Sequence, residues 1–229
     1  MPDVSAPSPT NADWHPAEST LIYCFAARFL TKPGVLVDEA ILGPTADVPG
    51  SRLAADLLTS AFANLERRGK IAINEVGHKA LIGHSRRLDV SLVDGVDPAS
   101  EPDPSIELGF LSQVARQLTE PSPKNIVWNW FGKDMAEPWL VPANFELSAL
   151  KGAGAVMIDF EKQGGLRGKL KGSKRIITWN REQVMPLAAA AATAWADFQA
   201  WRTSSPFSVE IARQVVMGIR SRVSQPLGE

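Results

Sequence analysis

One pattern constrains the fold of this chain more than any other: an amphipathic helix that runs directly into two alternating segments. Apolar residues recur at i, i+4, i+5, i+8, i+9 and i+12 from Leu53 to Leu65, which predicts a helix with one apolar face. Asp56 and Asn64 are predicted to lie on the opposite, outward face. Basic residues followed by Gly69 are typical of a helix C-terminus, so the helix is expected to end there.

The two alternating segments predict a β-hairpin immediately after this helix. Residues 70–74 and 87–93 both alternate apolar and polar side chains, as half-buried strands do. A helix followed at once by a hairpin has the geometry of a wing. Residues 94–105 combine three prolines with acidic side chains and are predicted to form an acidic connector.

The second half of the chain partly repeats this order. A helix is predicted over residues 105–118, and an aromatic segment, residues 126–132, follows it. A further helix from about Pro142 leads to strands at 156–160 and 175–179. The predicted fold class is therefore mainly α: a helical bundle with two helix-plus-β-hairpin, wing-like units.

The remaining segments define the predicted domain organisation. Ser19 or Thr20 is expected to cap a first helix, and an extended piece is expected from Val35 to Leu42. Residues 1–17 are rich in proline, serine, alanine and aspartate, which predicts a disordered tail and not a signal peptide. A single domain is then expected over residues 18–229. It contains a pseudo-repeat, residues 18–95 and 105–180, followed by C-terminal helices at 182–223. The first of these helices is expected to run to about Thr203.

The composition of the chain limits the cellular compartments and the kinds of partner that we expect for it. The net charge of −1 argues against a protein that coats nucleic acid over its whole surface. Cys24 is the only cysteine, so no internal disulfide forms, and its apolar neighbours predict a buried thiol. The weakly polar run at 184–198 is too short to cross a bilayer. We expect a cytoplasmic protein that associates with membranes only at their surface.

The sequence offers no recognisable catalytic, metal or cofactor site. His15 lies in the predicted tail, and His78 and His84 lack the further ligands that zinc requires. No nucleophile elbow, phosphate-binding loop or dinucleotide fingerprint is present. The expectation is a protein that is not an enzyme and that needs no metal and no cofactor.

One local signal indicates a binding function. Six cations and no acid occur between residues 162 and 175, in the predicted second hairpin: Lys162, Arg167, Lys169, Lys171, Lys174 and Arg175. Leu166 and Leu170 are interleaved with them as candidates for insertion into a membrane. Each cation near an anionic leaflet contributes about 1 kcal/mol, which suffices for reversible docking. The alternative is a hairpin end that carries solvated charge and binds nothing.

Several motifs resemble the Golgi phosphoprotein 3-like family of phosphoinositide-binding peripheral membrane proteins. The glycine-led helix from Gly50, ending in Arg68-Gly69-Lys70-Ile71, is similar to a hallmark of that family. The order of the later elements is also similar, including a proline-led helix that carries Trp128 and Trp130. The resemblance implies a helical bundle without catalysis that docks on phosphoinositide membranes and grips protein tails.

The resemblance does not extend to the lipid headgroup pocket. Eukaryotic members hold the headgroup with a tryptophan and three arginines. The matching positions here are near Glu39, Leu58, Leu140 and Ala143, and none of these is aromatic or cationic. The resemblance therefore implies a divergent relative in which the headgroup pocket does not carry over, and it does not identify the ligand. The cluster of cations at residues 162–175 itself predicts docking to anionic lipid headgroups or to a protein partner.

Two alternative functions remain open from the sequence. The first is a tandem winged-helix regulator that binds DNA, which requires a basic recognition helix. Cations in the 53–68 helix are confined to its ends, and this weakens that alternative. The second is a scaffold subunit or homo-oligomer that uses Trp195, Phe198 and Trp201 as its contact. Trp128, Trp130 and Trp139 are predicted to serve core packing more than a ligand cage.

Overall fold

The computed structural model describes residues 14–26, 35–38, 50–79, 84–116, 120–162 and 173–223. Its helices are α1 (Glu18–Ala26), α2 (Gly50–Arg67), α3 (Ile106–Ala115), α4 (Pro123–Phe131), α5 (Val141–Gly152), α6 (Arg181–Val184), α7 (Leu187–Ser204) and α8 (Ser208–Arg220). Its strands are β1 (Val35–Asp38), β2 (Ile71–Lys79), β3 (His84–Leu92), β4 (Val156–Lys162) and β5 (Ser173–Trp179). Short 3₁₀ turns occupy Pro98–Ser100 and Pro138–Leu140.

Helix α2 forms the centre of the bundle. Every residue from Leu57 to Leu65 is buried, because α1, α3, α5, α7 and α8 all pack against this helix. The prediction that Asn64 faces outward is wrong: only 2% of its surface is exposed. The apolar periodicity identified the helix correctly but did not reveal that both of its faces are covered.

Both predicted helix-plus-hairpin units are present, which confirms the mainly α fold class. Helix α2 leads into the β2–β3 hairpin, and α5 leads into β4–β5. Gly69 (φ 64°) and Gly154 (φ 74°) follow the two helices, in a backbone conformation that strongly favours glycine. After each helix, the N–H following the glycine donates to a carbonyl five residues earlier, at 2.8 and 2.9 Å. Both helices therefore end in the same Schellman motif.

The second hairpin gains a third strand that the sequence did not predict to pair. Strand β1 pairs antiparallel with β5, which gives a sheet in the order β1-β5-β4. The predicted extended piece is therefore observed at Val35–Asp38, whereas residues 39–42 lie outside the described residues. This sheet connects the start of the fold, through α1 and β1, to the hairpin that carries the predicted basic residues.

Two further predictions need correction at the ends of the fold. The single helix expected from 182 to 203 is interrupted at Met185-Pro186, because proline cannot donate the hydrogen bond that would continue α6 into α7. At the other end, Trp14 packs against the core and Ala17 is buried, so packing begins before residue 18. The last predicted helix is confirmed as α8.

Candidate binding surface

The predicted basic residues belong to the β4–β5 hairpin, in a stretch that we call the basic segment (residues 162–175). Lys162 is the last residue of β4 and lies opposite Ser173, the first residue of β5. Lys174 and Arg175 follow within β5. The other predicted residues lie outside the described residues: Leu166, Arg167, Lys169, Leu170 and Lys171.

The strand register divides the cations of the basic segment into two groups. Glu161 of β4 lies opposite Lys174, and Asp38 of β1 lies opposite Arg175. Lys174 and Arg175 therefore have acidic neighbours by register, whereas Lys162 has only a serine opposite it.

The charge of the whole chain makes the basic segment distinctive. The chain carries a net charge of −1, and the basic segment contributes +6, so the other residues together carry −7. A negatively charged body repels an anionic surface, and a positive segment attracts it. The attraction of the chain to an anionic surface is therefore expected to be strongest when the basic segment faces that surface.

The cations at the C-terminal end of α2 are engaged within the fold. Arg68 donates to Glu101 at 2.6 Å, and the side chain of Glu101 is 1% exposed. Lys70 lies 4.0 Å from the same carboxylate and donates to Ser100 at 2.8 Å. The acidic connector thus folds back on the Arg-Gly-Lys sequence, and these cations stabilise the junction between α2 and β2.

Arg67 lies on the surface formed by α1, α2 and α7, where two open clefts are found, and it lines one of them. It donates to Glu18 and to Asp197, each at 2.6 Å. The clefts have volumes of about 450 and 470 Å³, and Asp197 borders both. Their linings mix acidic, basic and small apolar side chains, so neither cleft selects a ligand of one charge.

A buried polar cluster, which the sequence analysis missed, lies between α1, α2, α3 and α5. Glu107 and Glu146 are both fully buried. Glu107 accepts hydrogen bonds from the Ser19 N–H (2.9 Å), the Ser19 Oγ (2.7 Å) and the Asn64 Nδ2 (3.1 Å). Glu146 accepts one from the Thr20 Oγ1 at 2.7 Å. Ser19 and Thr20 therefore lie within the first turn of α1, where their side chains donate to carboxylates of other helices instead of capping α1.

A sequence signal for this cluster does exist. Glu107 precedes Phe110, Leu111 and Val114 at spacings of three, four and seven, which places it on the apolar face of α3. Glu146 has the same relation to Leu150 in α5. A carboxylate inside an apolar stripe predicts a buried acid, and this pattern marks both Glu107 and Glu146 in the sequence.

The surroundings of the cluster alter its protonation. Burial, and to a smaller extent the negative charge of Glu107, raises the pKa of Glu146 to about 8, while the hydroxyls of Thr20 and Ser19 oppose the shift. Burial, together with the charge of Glu146, also raises the pKa of the Cys24 thiol to about 12. The predicted burial of the thiol is confirmed, since Cys24 is 0% exposed.

The structure shows where the histidines and two of the tryptophans singled out in the sequence lie. His15 is exposed, and His78 and His84 lie in β2 and β3 next to the turn of the first hairpin. Across the described ranges, no three side chains of the metal-binding types come together. Trp130 packs edge-on against Phe110 at 6.1 Å, as a core residue does, whereas Trp128 is 40% exposed.

Comparison with protein-family models, with curated proteins and with solved structures gave no match. Within the part of the chain that the structure describes, no helix has both the length and the apolar character needed to cross a bilayer.

Proposed function

We propose that this chain is a non-catalytic binding protein that docks on anionic membrane surfaces through the basic segment. The observation that carries the proposal is the run of six cations without an acid in the second hairpin. The remaining residues of the chain together have a net charge of −7. At about 1 kcal/mol per cation, the segment supplies a few kcal/mol of attraction. That is enough for reversible docking, and the family resemblance implies the same class of function.

The residues around the basic segment also favour a membrane surface. Leu166 and Leu170 alternate with the cations along the sequence. Burying two leucine side chains contributes a few kcal/mol, at roughly 1.5–3 kcal/mol each. Electrostatic attraction combined with apolar insertion is the mode by which peripheral proteins bind an interface, and each component alone is weak.

The DNA-binding alternative loses support from the position of α2. A recognition helix must lie on the surface to enter the major groove. Leu57 to Leu65 are all buried by neighbouring helices, so this face of α2 is inaccessible to a duplex. The cations that follow, Arg67 and Arg68, are paired with carboxylates of the same chain.

The scaffold alternative also loses its predicted contact. Phe198 and Trp201 are 2% and 8% exposed, and the Trp201 Nε1 donates to Glu66 at 2.7 Å. Trp195 is half-buried and stacks on Phe25 with ring centroids 5.5 Å apart. These aromatic rings are largely occupied within the chain, which leaves little of them for a partner.

Sedimentation of the full chain with vesicles tests the proposal. The vesicles contain phosphatidylcholine alone, phosphatidylcholine with phosphatidylserine, or the latter with a phosphoinositide. We expect binding only to the two anionic compositions, and stronger binding at low ionic strength because salt screens the attraction. Equal binding to neutral and anionic vesicles, or preferential binding to duplex DNA in a parallel titration, would overturn the proposal.

A matched pair of variants locates the binding. In the first, the six cations of the basic segment become glutamine. In the control, six exposed cations elsewhere become glutamine: Arg52, Arg116, Lys133, Lys151, Arg181 and Arg220. Both variants have a net charge of −7, since each loses six cations from a chain at −1. We expect the first to lose binding and the control to retain most of it.

A further inference from the structure

Two buried carboxylates face the first turn of α1, and no cation of the described residues neutralises them. Glu107 and Glu146 belong to different helices, α3 and α5, and both are 0% exposed. Their hydrogen-bond donors are Ser19, Thr20 and Asn64, which are all neutral. No ion pair involves either carboxylate within the described ranges. Two buried negative charges that share one site repel each other strongly, so one of the two carboxylates binds a proton more readily than an exposed acid does.

The hydrogen bonds differ between the two acids in a way that assigns the proton. Glu107 uses both of its oxygens to accept three hydrogen bonds from the protein. Glu146 uses only Oε2, and its Oε1 is buried with no hydrogen-bond partner. An unpaired buried carboxylate oxygen is costly when charged and much less so when it carries a proton. The proton of the pair therefore belongs on Glu146.

We propose that Glu107 and Glu146 form a proton-binding site that controls the attachment of α1 to the bundle. With one proton bound, the first turn of α1 is held by both carboxyl groups. When that proton is lost as the pH rises, two like charges remain buried, and detachment of α1 lets water reach them. Helices α2, α3 and α5 remain packed in both states.

Helix α1 is the element that moves, because it is the shortest of the helices that contact the pair and has the fewest buried apolar side chains of its own. It has nine residues, whereas α2 has eighteen. Its buried apolar side chains are Ile22, Tyr23 and Cys24. Local opening in proteins occurs preferentially in the elements with the fewest buried contacts.

The other charged and titratable groups around the site are few. Helix α1 supplies Tyr23 and Cys24 next to the pair, and Glu18 at its start; the charge of Glu107 also acts on Glu18. From α2, Arg67 binds Glu18 on the outer side of α1. The neutral Asn64 is the α2 residue that reaches the carboxylates directly.

The single cysteine of the chain provides a direct measurement of α1 detachment. Cys24 lies in α1, is 0% exposed, and reacts with iodoacetamide only when α1 opens. The labelling rate is measured from about pH 6 to about pH 9 and divided at each pH by the rate for glutathione, which removes the intrinsic effect of pH on thiols. For one linked proton, this ratio rises by up to about tenfold per pH unit. We expect the rise to level off above about pH 8.

Two variants complete the experiment. Glu146→Gln retains an acceptor for Thr20 but cannot ionise. The ratio of its Cys24 labelling rate to the glutathione rate should therefore stay constant from about pH 6 to about pH 9. Glu137→Gln is the control at an exposed glutamate outside the cluster, and it should behave like the wild type. A wild-type ratio that does not change with pH, or a Glu146→Gln ratio that rises as steeply as that of the wild type, would overturn the proposal.

Hydrogen exchange of the wild type keeps the test decisive if Glu146→Gln fails to fold. After correction for the intrinsic exchange rate, the amides of α1 should lose protection as the pH rises, while those of α8 keep theirs. Loss of protection in both helices together would indicate global unfolding and would contradict a site that acts on α1. Unchanged protection of α1 would contradict it as well.

Discussion

The Oγ1 of Thr20 donates a 2.7 Å hydrogen bond to Oε2 of Glu146, between two residues that lie 126 positions apart in the sequence. Both side chains are shielded from solvent, so water cannot replace the bond if one partner is removed. This contact joins the first helix of the fold to the helix that precedes the second hairpin. Several expectations for stability follow from it.

Replacing Thr20 with valine should destabilise the fold. The substitution keeps the shape of the side chain but removes the donor, so the Oε2 atom of Glu146 loses the 2.7 Å hydrogen bond from Thr20. Leaving a buried acceptor unpaired costs about 1–3 kcal/mol in the free energy of unfolding. Urea denaturation measures this loss. Thr193→Val, at an exposed position of α7, should change the free energy by less than about 0.5 kcal/mol.

The stability of the chain should depend on the protonation of Glu146. Its pKa in the folded state is about 8, above the ordinary value of 4.5, so the folded state binds more protons between these two values. The contribution is therefore fully present below about pH 4.5 and is lost as the pH rises to about 8. The slope is at most about 1.4 kcal/mol per pH unit.

Denaturation of the wild type and Glu146→Gln at several pH values isolates this contribution. Burial also raises the pKa of Glu18 and Asp56, while hydrogen bonds from Arg213 lower that of Glu210. Those groups are the same in both proteins and cancel in the difference. We expect the stability of Glu146→Gln relative to the wild type to increase from about pH 5 to about pH 8. A difference that is constant over this range would contradict the assignment.

The ion pair between Arg68 and Glu101 should matter far more than an ion pair on the open surface. Replacing Arg68 with alanine leaves a carboxylate of 1% exposure with only Lys70 at 4.0 Å. Arg68 itself is 40% exposed, which reduces the effect, so we expect a loss of about 1–3 kcal/mol. Arg213→Ala removes an exposed pair with Glu210 and should cost about 0–1 kcal/mol. Thermal unfolding of both variants measures these losses of stability. Equal losses in the two variants would contradict the prediction, because they would show that the Glu101 site tolerates an unpaired charge.

Helices α4 and α8 pack closely at a glycine. A Cβ atom at Gly218 would lie 2.8 Å from the backbone oxygen of Lys124 and 2.9 Å from Val127, closer than real Cβ atoms approach. Gly218→Ala should therefore push the helices apart and destabilise the fold by about 1–3 kcal/mol. Gly152→Ala, in α5 with open space around it, should be neutral or slightly stabilising. Equal effects of the two variants on the melting temperature would contradict this packing.

Much of this fold follows from local patterns in the sequence, and the parts that do not are long-range. The helix that ends at Gly69 and the hairpin after it are set by periodicity and by a glycine that adopts a positive φ. The pairing of β1 with β5 joins residues roughly 140 positions apart, and no local pattern specifies it. The burial of Asn64 depends on which helices cover α2, and the role of Glu107 depends on its contact with α1.

The candidate binding surface was predictable to a similar extent. The density of cations in the basic segment is visible in the sequence alone. The carboxylates that oppose two of these cations, Glu161 and Asp38, become apparent only when the register of β1, β5 and β4 is known. Because of this register, we expect Lys174 and Arg175 to contribute less to membrane binding than the other cations of the basic segment.

The partition coefficient of the full chain on phosphatidylserine-containing vesicles tests docking through the basic segment most directly, when two double variants are compared with the wild type. Each cation contributes about 1 kcal/mol, or about a fivefold change in partition. Lys169→Gln with Lys171→Gln should therefore weaken binding strongly. Lys174→Gln with Arg175→Gln should weaken it less, because acidic residues lie opposite both positions in the sheet. Partition that is unchanged in both variants would contradict docking through this segment.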